Sequence, residues 1–134
     1  MGLFKVTREG EIETDLEDMG VTITHSPTYK EEYKEPSKRS WANEDGDDVY
    51  FPVTRKTKSQ KIIIEFFCEG NSYLSDYRNF CIFMAEKKFV WKDENQGLTF
   101  DGICSESEAT RHDVAKKLTG KIIINNYTGR YGNI

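Results

Sequence analysis

The residues able to do chemistry are few and scattered. Three cysteines (Cys68, Cys81, Cys104) and two histidines (His25, His112) supply all the thiols and imidazoles of the chain. A cysteine nucleophile needs a base within hydrogen-bond reach and a further group to orient that base. None of these residues lies in a motif that would supply them, and no C-x-x-C pair occurs. Cys68 and Cys81 stand among apolar residues, where a free thiol behaves as a small hydrophobe. The run Asn43-Glu44-Asp45-Gly46-Asp47-Asp48 is rich enough in carboxylates to attract Ca²⁺. It lacks the closing Glu and the flanking helices of an EF-hand loop, and Asp-Gly favours a solvated turn for its own reasons. Gly129-Arg130-Tyr131-Gly132 is too short and too close to the end to cradle a phosphate. No nucleophile elbow, Walker loop, zinc-protease helix or dinucleotide fingerprint is present. The expectation is a non-enzyme with no catalytic residue, no metal and no cofactor.

Binding chemistry is better represented. Arg55, Lys56, Lys58 and Lys61 form the one basic cluster. Single-stranded nucleic acid would want aromatics interleaved with it for stacking. Tyr50 and Phe51 are near but belong to a strand, and the net charge of −4 lacks the basic excess of a general nucleic-acid binder. The cluster reads as a solvated connector, with an electrostatic contact to protein or nucleic acid as the alternatives. Tyr29, Tyr33 and Trp41 stand in a charged stretch with no local core, where large aromatics serve as interface anchors. Folding back onto their own domain is the equally open reading.

The elements that must position these groups follow from periodicity. The 134 residues suit one domain, and at this size about two-thirds of the unfolded surface can be buried. Apolar residues make up 37% and charged residues 31%, so the chain is neither disordered nor membrane-like. The odd, separated cysteines predict reduced thiols in a reducing compartment. No signal peptide is visible, and Val6 stands where a myristoylation motif asks for Ser or Thr. Short strands are expected at residues 3–7, 20–25 and 48–53, with an acidic loop or helical turn at 11–18. Residues 29–47 read as an extended arm. Residues 61–68 (Lys-Ile-Ile-Ile-Glu-Phe-Phe-Cys) are the strongest strand, apolar on both faces and therefore expected to be central and covered twice.

From Ser72 to Glu86 the period changes. Tyr73, Tyr77, Phe80, Cys81 and Met84 recur at helical steps, with Ser72 as N-cap and Asp76 in the first turn. Strands at 88–91 and 98–104 form a hairpin, residues 105–113 read as a polar loop, and residues 121–124 end a second strong strand. Residues 128–134 are expected to be a loose tail. The fold class is mostly β with some α: an antiparallel β-sandwich or small barrel with one packed helix, in a single domain of residues 1–134.

Several words in this order resemble phage tail structural proteins of the distal-tail and tail-tube-like kind found in prophages. They are residues 16–24 (Leu-Glu-Asp-Met-Gly-Val-Thr-Ile-Thr), 33–38 (Tyr-Lys-Glu-Pro-Ser-Lys) and 41–48 (Trp-Ala-Asn-Glu-Asp-Gly-Asp-Asp). The strong strand through Gly70 and the helix start at 73–80 follow them. The likeness spans about residues 12–90 and carries over no catalytic residue. It implies a β-sandwich subunit of a virion tail, assembled in the bacterial cytoplasm. Its partners would be its own copies in a homo-oligomeric ring, hexameric as one candidate, and other tail proteins. A ring requires a head-to-tail interface that closes, which strand edges and the arm can supply. DNA passing through such a ring would meet no specific binding site. Glu44, Asp45, Asp47 and Asp48 are then candidates to face the lumen and repel its backbone. The alternative is a monomeric binding module for nucleic acid or protein that uses the Arg55–Lys61 cluster.

Overall fold

In the computed structural model, residues 3–24, 27–33 and 57–134 are described in full, and residues 37–40 and 47–50 by their backbone. In chain order the elements are β1 (Phe4–Arg8), β2 (Glu13–Asp15), a 3₁₀ turn (Leu16–Met19), β3 (Thr22–Ile23), β4 (Glu32–Tyr33), β5 (Ser37–Ser40) and β6 (Asp47–Tyr50). There follow β7 (Thr57–Lys58), β8 (Gln60–Glu69), α1 (Tyr73–Glu86), β9 (Phe89–Asp93), β10 (Leu98–His112), β11 (Lys117–Asn126) and β12 (Gly132–Asn133). The main sheet runs β2-β1-β9-β10-β11-β8-β3, with β12 also paired to β10. β4 pairs with β7 and β5 with β6 as separate ribbons. Every pairing is antiparallel. The result is an open β-sandwich with, among the described residues, one α-helix; the sheet they form does not close into a barrel.

β10 joins the two halves. Its first five residues pair with β9, and from Ile103 onward it pairs with β11. The corner is built locally. Gly102 faces inward, where a Cβ would lie 2.6 Å from Ile124 Cγ2, so only glycine lets the strand pass that close. A register slip between Cys104 and Glu106 then bends the strand, as bulges do at corners. Trp91, Phe89, Phe100 and Val6 from one half meet Ile62, Ile64, Ile122 and Ile124 from the other in one buried core.

α1 covers the inner face of β8, β10 and β11. Phe80 meets Phe66 edge-on at 5.0 Å, and Tyr77 stacks on the same ring at 5.9 Å. Ser72 precedes the helix without capping it; its hydroxyl donates to Asp76 Oδ2 at 3.2 Å. The other end is held from β1. Arg8 Nη1 donates to the Phe83 carbonyl at 3.1 Å, and its guanidinium lies 4.4 Å from the Phe83 ring centre. A cation at the C-terminal turn complements the helix dipole.

Three expectations are corrected. β8 is covered on one face only: Ile62, Ile64, Phe66 and Cys68 are buried, while Ile63 is 52% exposed. Phe67 is part-buried, with the Lys117 ammonium 4.5 Å from its ring centre. The exposed face also carries Lys61, Glu65 and Glu69; Ile63 and Phe67 between them suggest a second cover only because isoleucine and phenylalanine are favourable on either face of a pleated surface. Residues 105–113 are not a loop, since β10 continues through His112 and pairs with β11 down to Lys117. Its polar spelling reflects a strand exposed on both faces there. The final residues are not loose. Asn126 is fully buried, and its Oδ1 accepts from Thr128 Oγ1 and Gly129 N, both at 3.1 Å. Its Nδ2 donates to the Arg130 carbonyl at 3.1 Å, and β12 then pairs with β10. A side-chain amide that satisfies three groups is a strong local pin.

Candidate interaction surface

Tyr29 has the most specific environment of the residues singled out in the sequence. Its hydroxyl donates to Asp93 Oδ2 at 2.8 Å and accepts from Trp91 Nε1 at 3.1 Å. Asp93 is fully buried, and its Oδ1 accepts the backbone N–H groups of Asn95 and Gln96 at 2.9 and 3.1 Å. That is why a carboxylate survives here: each oxygen is hydrogen-bonded. Burial, and then the Asp93 carboxylate, push the Tyr29 phenol well above its ordinary value. The Tyr29 ring packs on Phe100 and Tyr131, and Tyr131 donates to the Lys30 carbonyl at 2.8 Å. Gln96 Nε2 holds the Pro27 carbonyl at 2.9 Å. Residues 27–30 are therefore docked on their own domain. Of the two readings open for Tyr29, the fold takes the inward one.

The remaining candidates separate. Tyr33 is exposed on β4 opposite Thr57, and Lys58 is exposed on β7 opposite Glu32, so these two share one short ribbon. Trp41, Glu44, Asp45, Arg55 and Lys56 lie outside the described residues. Asp47 and Asp48 stand on β6, in register with Ser40 and Arg39. Lys61 lies on the exposed face of β8. Gly129 is buried at φ 69°, against the Lys58 carbonyl where a Cβ would collide. Gly129 thus shapes a turn that seats β7, while Gly132 stands on β12 beside Thr99.

Cys68 and Cys104 are poorly suited to nucleophilic chemistry. Burial pushes Cys68 up to about 11 and also raises Cys104, the reverse of what an activated thiolate needs. His112 is exposed near the end of β10, 3.1 Å from Thr119 Oγ1. Among the described residues no three His, Cys, Asp or Glu side chains are grouped to hold a metal.

What the fold does expose is sheet. Among the described residues no strand lies beside β10 from Ile103 to His112 on the side away from β11. Such an edge offers a row of backbone donors and acceptors to another chain. The outer face of β8, β11 and β10 carries Ile63 and Ile103, the latter 42% exposed, around part-buried Ile123. On the far side of the molecule α1 shows Leu74 at 43% and Ile82 at 47% exposure. Periodicity alone misses both sets, because it presents the strand as doubly covered and the helix by its buried stripe. The four-residue spacing from Leu74 through Arg78 to Ile82 is the available signal.

No protein-family model matches the sequence, and no curated protein matches it. A solved structure does. It is the SPP1 Dit protein, described as a paradigm of the hub adsorption apparatus in phages that infect Gram-positive hosts. The two superpose with a TM-score of 0.56 at 13% sequence identity. The match covers 98% of this chain and 52% of that chain, so this chain spans about half the length of the Dit protein. At that identity the likeness is one of fold: nearly all of this chain adopts an arrangement found in a phage hub protein.

Proposed function

We propose that the chain is a structural subunit of a phage tail, of the hub or tube kind, and that it acts by assembling with its own copies and with other tail proteins. The observation that carries this reading is the fold match over 98% of the chain to a phage hub protein. The open edge of β10 supports it physically. A ten-residue edge with a bulge near its start can add a strand from a neighbour, and a head-to-tail interface repeated with closing rotation makes a ring. In this reading Tyr33, Trp41 and the cations Arg55, Lys56 and Lys58 contribute contacts between subunits. Glu44, Asp45, Asp47 and Asp48 line the lumen, where acidic side chains keep DNA from adhering as it passes.

The test is assembly. Light scattering over a wide concentration range, with negative-stain images of the same samples, should show discrete closed particles of one stoichiometry. A featureless monomer at the highest concentration would remove the proposal.

A further inference from the structure

We infer that the apolar ridge of α1 from one copy seats on the outer face of β8-β11-β10 of a second copy, so that the two faces of the molecule are halves of one head-to-tail contact. The inference rests on the self-assembly reading and adds to it a contact distinct from the strand edges.

The sheet side is fixed by register. Ile63 lies directly opposite Ile123, and Ile103 lies opposite Asn125, two residues further along β11. Ile63 and Ile103 are thus two strands apart with an offset of two residues, a separation of about 12 Å from the usual strand spacing and rise. Glu106 stands opposite Ile123, beside the line joining them. The face is an apolar diagonal with Glu106 at one flank and Lys61, opposite Asn125, at the other; Glu65 and Lys121 follow in the next row. The ridge is therefore seated in the sense that turns its own cation toward Glu106 and away from Lys61.

The helix side matches in length and in charge. Leu74, Arg78 and Ile82 succeed one another at i, i+4 and i+8, turned away from buried Phe80 and Met84. Leu74 and Ile82 are separated by about 12 Å along the axis at the α-helical rise. Arg78 lies between them and is exposed, as Glu106 is on the sheet. Leu74 and Ile82 over Ile63 and Ile103 bring the guanidinium within side-chain reach of the Glu106 carboxylate, a charge-assisted pairing. A second copy is therefore the occupant that fits. α1 packs on the inner face of these strands, so its ridge and their outer face point away from each other. One molecule cannot close the contact on itself, and the contact propagates to the next copy.

The experiment uses the full chain and three sets of variants, each checked for native circular dichroism and melting temperature. Ile63→Asp disables the sheet face, and Ile82→Asp disables the helix ridge. Each alone should raise the dissociation constant for self-association about tenfold or more. Mixed together they should form a one-to-one dimer, because each supplies the face that the other lacks. Arg78→Glu and Glu106→Arg should each weaken association, and the double reversal should restore it. That rescue is independent of whether the aspartate variants fold. If Ile63→Asp and Ile82→Asp assemble like the unaltered chain, or if charge reversal fails to rescue, this interface is wrong while closed rings would still stand. If the unaltered chain never associates, both the interface and the ring reading fail.

Discussion

Replacing Tyr29 with Phe should cost far more than the loss of one exposed hydroxyl, and the structure says how much. The ring would keep its place against Phe100 and Tyr131, so little packing is lost. What disappears is a donor to Asp93 Oδ2 and an acceptor for Trp91 Nε1. A hydrogen bond to a charged group contributes about 1.5–3 kcal/mol, and a buried donor left unpaired costs about 1–3 kcal/mol. Partial relaxation and water entry reduce the sum, so about 3 kcal/mol is the reasonable expectation for the pair. Against a total stability of about 5–15 kcal/mol that is a large fraction. For a domain of this size each kcal/mol moves the melting point by about 4 °C, so Tyr29→Phe should melt about 10–12 °C lower.

The assay is urea unfolding with and without Asp93→Asn, as a double-mutant cycle. The two changes should couple by more than 1 kcal/mol, because they act on one hydrogen bond. The pH dependence supplies a second reading. The phenol is held neutral in the folded chain above the pH at which it ionises when unfolded. The folded state therefore binds more protons above about pH 10, and stability falls as pH rises there. Tyr29→Phe should flatten that alkaline decline. A loss below about 0.5 kcal/mol, strict additivity with Asp93→Asn, or an unchanged alkaline slope would each refute the claim that this hydroxyl pins residues 27–30 to the sheet.

Three further outcomes are expected. Ile64→Thr should destabilise by about 2 kcal/mol or more in denaturant titration, because it places a hydroxyl in the core. Ile63→Thr should stay within about 0.5 kcal/mol in the isolated subunit, and equal losses would contradict single-sided burial of β8. Gly129→Ala should cost about 3 kcal/mol by thermal melting, since it combines a left-handed backbone with a collision against the Lys58 carbonyl; a neutral result would mean that the terminal turn does not seat β7. Native-state labelling with a thiol-specific disulfide reagent at pH 8 should modify Cys81 and Cys104 well before Cys68, which is buried with its thiol pushed up to about 11. Early loss of Cys68 would show that α1 opens from the sheet.

Much of this architecture is legible from periodicity, and its failures share a cause. The helix is readable because Tyr73, Phe80 and Met84 return on one stripe and the chain has few helix breakers there. The hairpin at β9–β10 is readable because Phe89 and Trp91 stand two apart before the turn at 93–97 and Phe100 follows it between Thr99 and Asp101. Where both alternating positions carry one residue class, the period vanishes. In β8 the run Ile62–Ile64 is apolar at successive positions, so Ile63 looks as buried as Ile64 although Lys61, Glu65 and Glu69 mark its face as the outer one; in the outer half of β10 both positions are polar, so a paired strand looks like a loop. Long-range partners are equally invisible locally. Nothing beside Tyr29 in the sequence announces Asp93 or Trp91, more than sixty residues away.

The same blindness falls where interfaces lie. A strand that is polar on both faces can satisfy its backbone with one neighbour and still fold, leaving its other edge for a second chain. A strand that is apolar on both faces can bury one and leave the other for a docking partner. Both signatures therefore describe surfaces with room for a second partner. β10 beyond Gly102 and the outer face of β8 are such surfaces, and they adjoin through β11. On the proposed reading, Ile63 and Ile103 are exposed in the monomer and covered in the assembly. Polar residues there should leave the monomer about as stable and remove its tendency to associate. That dissociation of stability from assembly separates an interface residue from a core residue.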